Sequence, residues 1–186
     1  MEILKRGFFK KTIRILAIAI LVFGNGLNAH AAPVQLPEHK IKAGLVYNFI
    51  KYSFWPESAF PAHESPLHIC LFGGDAFNGA LDPLQGRTAQ MRKINIKKIT
   101  AMEQFSQCHT VFIHRSEARN LDIIMETARP FPVLLMSDIE GFSQKGGMVE
   151  LSNPNDRRIH LYLNQVAIDN AGLKVGSQLI KLAEQR

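Results

Sequence analysis

Cysteine occurs only twice in the 186 residues, and no Cys or His pair has the spacing of a metal-ligand set. At most one intrachain disulfide can form, and a zinc site has no donors at the required spacing. The longest strongly apolar run, residues 15–23, is nine residues, well short of the ~20 that a spanning helix needs. Pro/Ser-rich tracts, low-complexity blocks and internal repeats are missing, which leaves no linker at which to divide the chain. Ser116, Ser137 and Ser177 lack a Gly-x-Ser-x-Gly elbow, and no glycine-rich loop carries the Lys-Ser/Thr of a phosphate-binding loop. Hydrolase and nucleotide-triphosphatase chemistry are therefore unsupported, and neither a cofactor nor a metal is implied.

What is present begins with an export signal. Lys5, Arg6, Lys10, Lys11 and Arg14 precede the apolar run, and Ala29-His30-Ala31 follows it. This order of charged start, short apolar core and small-residue site predicts cleavage after Ala31; the alternative is an uncleaved amphipathic anchor. Five of the 22 Lys+Arg and one of the 16 Asp+Glu lie in residues 1–31. The remaining 17 basic against 15 acidic residues leave residues 32–186 at only +2, so the sequence pI near 9.5 mostly describes the leader. A nucleic-acid partner is not expected.

Residues 32–186 suit one domain. Apolar residues Ile41, Leu45, Val46, Phe49, Ile50 and Phe54 recur at helical spacing, predicting an amphipathic helix over 38–55 stopped by Pro56. A strand is expected at 67–72, a short helix over 77–84 capped by Asp75, and a second strand over 91–99. A turn at 102–106, a strand at 110–114, a helix over 117–128 and a buried strand at 133–136 follow. Residues 148–151 and 159–163, joined by the turn-rich 152–156, read as an antiparallel hairpin. A helix over 165–170 stopped by Gly172, an extended 173–175 and a last helix from Ser177 complete the chain. The class is α/β: a mixed sheet of five or six strands flanked by helices, parallel at first and antiparallel near the C-terminus.

Gly73-Gly74-Asp75-Ala76-Phe77 is close to the GGDEF signature of diguanylate cyclases, but Ala76 stands where the signature has Glu. Two glycines after a strand more simply permit a tight turn, with a weak anion site at the following helix start as the functional alternative. Asp138 and Glu140 fall in a turn, where capping explains them. Cys70 lies in one apolar run and Cys108 just before another; in an exported protein they pair if those runs are neighbouring strands, or stay as two buried thiols. Tyr47, Phe49, Tyr52, Phe54, Trp55 and Phe60 crowd six aromatics into 14 positions, more than one helix face buries. Most are expected in the core, and the remainder can anchor a partner.

These residues carry a resemblance. Residues 41–51 (IKAGLVYNFIK) followed by Trp55-Pro56, residues 69–77 (ICLFGGDAF), residues 108–116 (CHTVFIHRS), Gly146-Gly147-Met148, residues 161–164 (LYLN) and Ala171-Gly172-Leu173 together resemble the YfiR/HmsC-like periplasmic proteins, in order and across the whole domain. The resemblance implies a non-enzymatic periplasmic regulator that binds the periplasmic region of an inner-membrane GGDEF-type cyclase and lowers cyclic-di-GMP, restraining biofilm formation. It also implies a Cys70–Cys108 disulfide. The partners expected on this reading are that cyclase, an OmpA-type outer-membrane lipoprotein that sequesters the inhibitor, and a second copy of the chain as a homodimer. Partner contact is expected at Tyr52, Trp55 and Phe60, or at Leu173, Val175 and Leu179. The alternative from another class is a periplasmic small-ligand sensor, serving a sensor kinase or receptor, with a metabolite held at the turn 73–75 or in a cleft beside the sheet.

Overall fold

The computed structural model describes residues 36–154 and 158–184. The expected leader, 1–31, and part of the turn 152–156 lie outside them. The first helix, α1 (Glu38–Tyr52), carries Glu38 in its first turn and Lys51 in its last, charges that suit the helix dipole. It buries Lys42, Ala43, Val46, Phe49 and Ile50, a stripe at helical spacing. It stops at Tyr52, three residues before the expected end. Pro56 disfavours a helical Trp55, and Ser53–Phe54 (β1) instead pairs antiparallel with Lys174–Val175 (β9) in a two-stranded ribbon.

The main sheet has seven strands in the order β3-β4-β2-β5-β6-β7-β8. Its centre is parallel: β2 (Leu67–Phe72) lies between β4 (Arg92–Ile99) and β5 (Thr110–Ile113), and β6 (Leu134–Ser137) and β7 (Val149–Ser152) follow. Every residue of β5, β6 and β7 is buried, as expected for parallel strands covered on both faces. β8 (His160–Leu163) closes one edge antiparallel to β7, the expected hairpin. β3 (Thr88–Ala89) closes the other edge antiparallel to β4 and is the strand that the apolar pattern of the sequence does not reveal. The helices α2 (Leu121–Ala128), α3 (Gln165–Asn170) and α4 (Ser177–Leu182) complete the fold.

Two local expectations are corrected. No α-helix forms over 77–84. Asp75 caps as foreseen, its Oδ1 accepting from the Phe77 and Asn78 amides at 2.9 Å, but Asn78 and Gly79 take positive φ (46° and 77°) and turn the chain away. Only a 3₁₀ turn at Asp82–Leu84, with Pro83 inside it, remains. The helix expected over 117–128 begins as a 3₁₀ turn (Arg115–Asn120) before α2.

Cys70 of β2 and Cys108, just before β5, are joined in a disulfide with Cα atoms 5.9 Å apart. β2 and β5 are hydrogen-bonded neighbours, so the strand adjacency on which pairing depended is present.

Candidate functional site

The sequence at the C-terminal end of α1 builds a surface from three elements. Tyr52 closes the helix, and its carbonyl accepts from the Gly176 amide at 2.7 Å, which aligns β1 with β9. In that ribbon Ser53 faces inward and Phe54 outward, 53% exposed. The β3–β4 turn arrives alongside. Its two residues, Gln90 (φ 50°) and Met91 (φ 63°), are both left-handed, a conformation that costs free energy in non-glycine residues. The cost is offset because Gln90 Nε2 donates to the carbonyls of Ile50, at 2.6 Å, and Ser53. Met91 and Phe54 therefore flank the Gln90–Ser53 contact, and Met91 is 85% exposed.

The aromatic loop beyond β1 folds against the amino-terminal end of β2 and β5. Trp55 Nε1 donates to the His109 carbonyl at 2.8 Å. Phe60 stacks on the His109 ring, centroids 4.3 Å apart, with the Arg92 guanidinium 3.6 Å from the Phe60 centroid. Trp55 and Phe60 are half-buried, as are Tyr52 and Val175. Leu173 and Leu179 are 1% and 3% exposed; in the unbound domain they are core. Of the six residues singled out for contact, four reach this surface, and Phe54 and Met91 join them. Met91 sits at a turn tip and not inside a strand, which the apolar pattern does not distinguish.

His109 is the pivot of the loop. Its Nδ1 accepts from the His68 amide at 3.0 Å and its Nε2 meets the Ala59 carbonyl at 3.1 Å. That fixes the neutral ring with its proton on Nε2. Burial, aided by the charges of His68, Arg92 and Lys97, pushes its pKa down to about 4, although the Ala59 bond opposes this. Because the folded value lies below that of an unfolded histidine, ~6.5, the resulting stability is complete above pH 6.5 and is lost as the pH falls toward 4. Over that window we expect a loss of about 3 kcal/mol. Urea unfolding across pH 7 to 4.5 checks it: His109→Gln flattens the dependence, and an equally steep variant contradicts the assignment.

At the carboxyl end of the sheet a charge network anchors the start of α1. Lys42 Nζ lies 2.5 Å from Glu38 Oε1 and 2.8 Å from Asp138 Oδ2, with the Lys42 and Asp138 side chains 3% and 2% exposed. Arg115 Nε reaches Asp138 Oδ2 at 3.0 Å and its Nη2 reaches Glu38 at 3.2 Å, while the Arg115 amide donates to Asp138 Oδ1 at 2.7 Å. Burial alone would raise the pKa of Asp138, but the hydrogen bonds and charges of Lys42 and Arg115 outweigh it and hold it below the usual carboxylate value. Capping therefore does not explain Asp138. Lys42, which helical spacing places among the polar residues of α1, turns inward, and Ile41 is left 39% exposed.

The turn after β2 spends its donors within the protein. A side chain on Gly74 would collide with the His114 ring, the Gly74 amide donates to Ser116 Oγ at 3.2 Å, and Ser116 Oγ donates to Glu117 at 3.2 Å. A carboxylate at that position repels an anionic ligand. The order of strands does reverse between β2 and β5, where open α/β sheets bind ligands, and there His114, Ser116 and Glu117 lie close against Gly73 and Gly74. Glu150 is likewise internal, with its carboxylate accepting from the Gly141 and Ser143 amides and the Ser143 and Ser152 hydroxyls. Among the described residues no cluster of His, Cys, Asp or Glu is arranged to hold a metal ion, and no helix is long and apolar enough to cross a membrane.

No curated protein is similar enough to the chain to match it. The family model described as YfiR/HmsC-like matches residues 39–184, spanning all but the first residue of α1, the disulfide, the Phe54–Met91 surface and the whole sheet. On that match the chain belongs to the YfiR/HmsC-like family.

Proposed function

We propose that this chain is a periplasmic repressor that binds the periplasmic sensor region of an inner-membrane diguanylate cyclase, lowering cyclic-di-GMP and biofilm formation. The observation that carries the reading is membership of the YfiR/HmsC-like family over residues 39–184. Binding is the whole activity. A repressor of this kind needs only to prefer one conformation of the sensor region; about thirty-fold, or ~2 kcal/mol, gives substantial control. Export delivers it, with residues 1–31 removed so that the mature chain starts at Ala32, and the Cys70–Cys108 disulfide suits an oxidising compartment. The intact mass of the exported protein tests the cleavage; retention of residues 1–31 contradicts it.

The contact surface on this reading is centred on Phe54 and Met91, with the half-buried Tyr52, Trp55, Phe60 and Val175 around them. Exposed aromatic and methionine side chains beside a polar rim are the anchors that protein interfaces favour. An OmpA-type lipoprotein that sequesters the repressor competes for the same surface, and a homodimer covers it in the idle state. Binding of the purified domain to the immobilised periplasmic region of the cyclase tests the assignment. Phe54→Glu and Met91→Glu each weaken binding about tenfold or more with the melting temperature nearly unchanged. Unchanged affinity in both variants places the contact elsewhere.

A further inference from the structure

Between the C-terminal end of α2 and α3 the domain holds a cleft of about 470 Å³, within the size range of small-molecule sites. Beside it β6 and β7 pair only at Met136↔Val149 and Ser137↔Glu150, so the ladder stops short of Leu135, which faces Met148. The buried Leu135 amide consequently finds only the Met148 thioether, at 3.5 Å. A thioether is a weak acceptor, and a buried amide donor gains from a better one.

The side chains around this amide divide into two kinds. Met125, Phe131, Leu135 and Met148 give the cleft an apolar lining, and Arg129 and Lys145 add two cations to it. No Asp or Glu lines the cleft, and no ion pair among the described residues involves either cation. The lining thus offers apolar contact, adaptable methionines, a poorly satisfied amide donor and uncompensated positive charge.

We propose that this cleft binds a small monocarboxylate with an apolar body, the carboxylate facing Arg129 and Lys145 and the apolar part lying over Met148 and Phe131. None of the residues lining the cleft belongs to the Phe54–Met91 surface, so this site and the partner reading stand or fall separately.

Calorimetric titration of the mature domain with decanoate, and with decanol as the uncharged control, tests the proposal. Decanoate binds with a Kd below about 1 mM, and decanol binds more weakly. The double variant Arg129→Gln/Lys145→Gln, both exposed positions, keeps the melting temperature and weakens decanoate binding about tenfold. Ala167→Phe, which places a ring in the cleft, abolishes binding; should that variant fail to fold, the double charge variant alone decides. Absence of decanoate binding, equal binding of decanol, or binding that survives the double charge variant overturns the proposal.

Discussion

Replacing Asp138 by alanine destabilises the domain by about 3 kcal/mol, the lower end of what removal of one partner from a buried ion pair costs. The Asp138 side chain is 2% exposed and accepts from Lys42, from the Arg115 guanidinium and from the Arg115 amide. Its loss strands the ammonium of Lys42 in a site where only Glu38 remains. The reverse change is milder. Lys42→Met leaves Asp138 with both Arg115 donors and Glu38 with Arg115 and Asn153, and a methionine fills the volume of the lysine stem. We expect about 1–2 kcal/mol for it. Urea unfolding of the two variants checks the order, and a Lys42→Met cost that equals or exceeds that of Asp138→Ala contradicts the account of this network.

Removal of the disulfide has the largest effect. Cys70 and Cys108 are 38 residues apart, and a closed loop of that length restricts the unfolded chain by about 4 kcal/mol on the chain-entropy model. Cys70→Ala/Cys108→Ala avoids placing hydroxyl groups at two buried positions, so the loss reads mainly the cross-link and a little packing. Wild-type protein unfolded under reducing conditions should lose a similar amount. Two results contradict this: a double alanine variant within about 1 kcal/mol of wild type, or free alkylation of both thiols in unfolded, unreduced protein.

Which parts of this were legible in the sequence follows from the range of the interactions involved. Strand β2 and the β7–β8 hairpin are read from short-range apolar patterning, because burial on both faces or turn chemistry specifies them locally. The stop of α1 is read from Pro56 only to within three residues, since β1 pairs with a strand at residues 174–175 that no local rule brings there. Lys42 is the sharper case. Helical spacing places a lysine next to Ile41 on the solvent side, and only the arrival of Asp138 at the end of β6 draws it inward. Leu173 and Leu179 could equally have been surface anchors by their apolar character, and packing against the domain, invisible to periodicity, makes them core. The Gln90–Met91 turn was illegible because neither residue favours positive φ, and the compensating bonds come from carbonyls at residues 50 and 53.

The surface so formed gives the functional reading a physical handle. Phe54 and Met91 project from a ribbon and a turn whose backbones are held by Gln90 and Gly176, so a substitution at either tip removes an anchor without removing core. Cyclic-di-GMP measured in the native host is the most direct test of the central claim. Deleting the gene raises it, wild-type protein restores it, Phe54→Glu protein made and exported at wild-type level does not, and inactivating the cytoplasmic active site of the partner cyclase abolishes all these differences. Unchanged cyclic-di-GMP in the deletion strain, with that cyclase expressed, contradicts repression as the function of this chain.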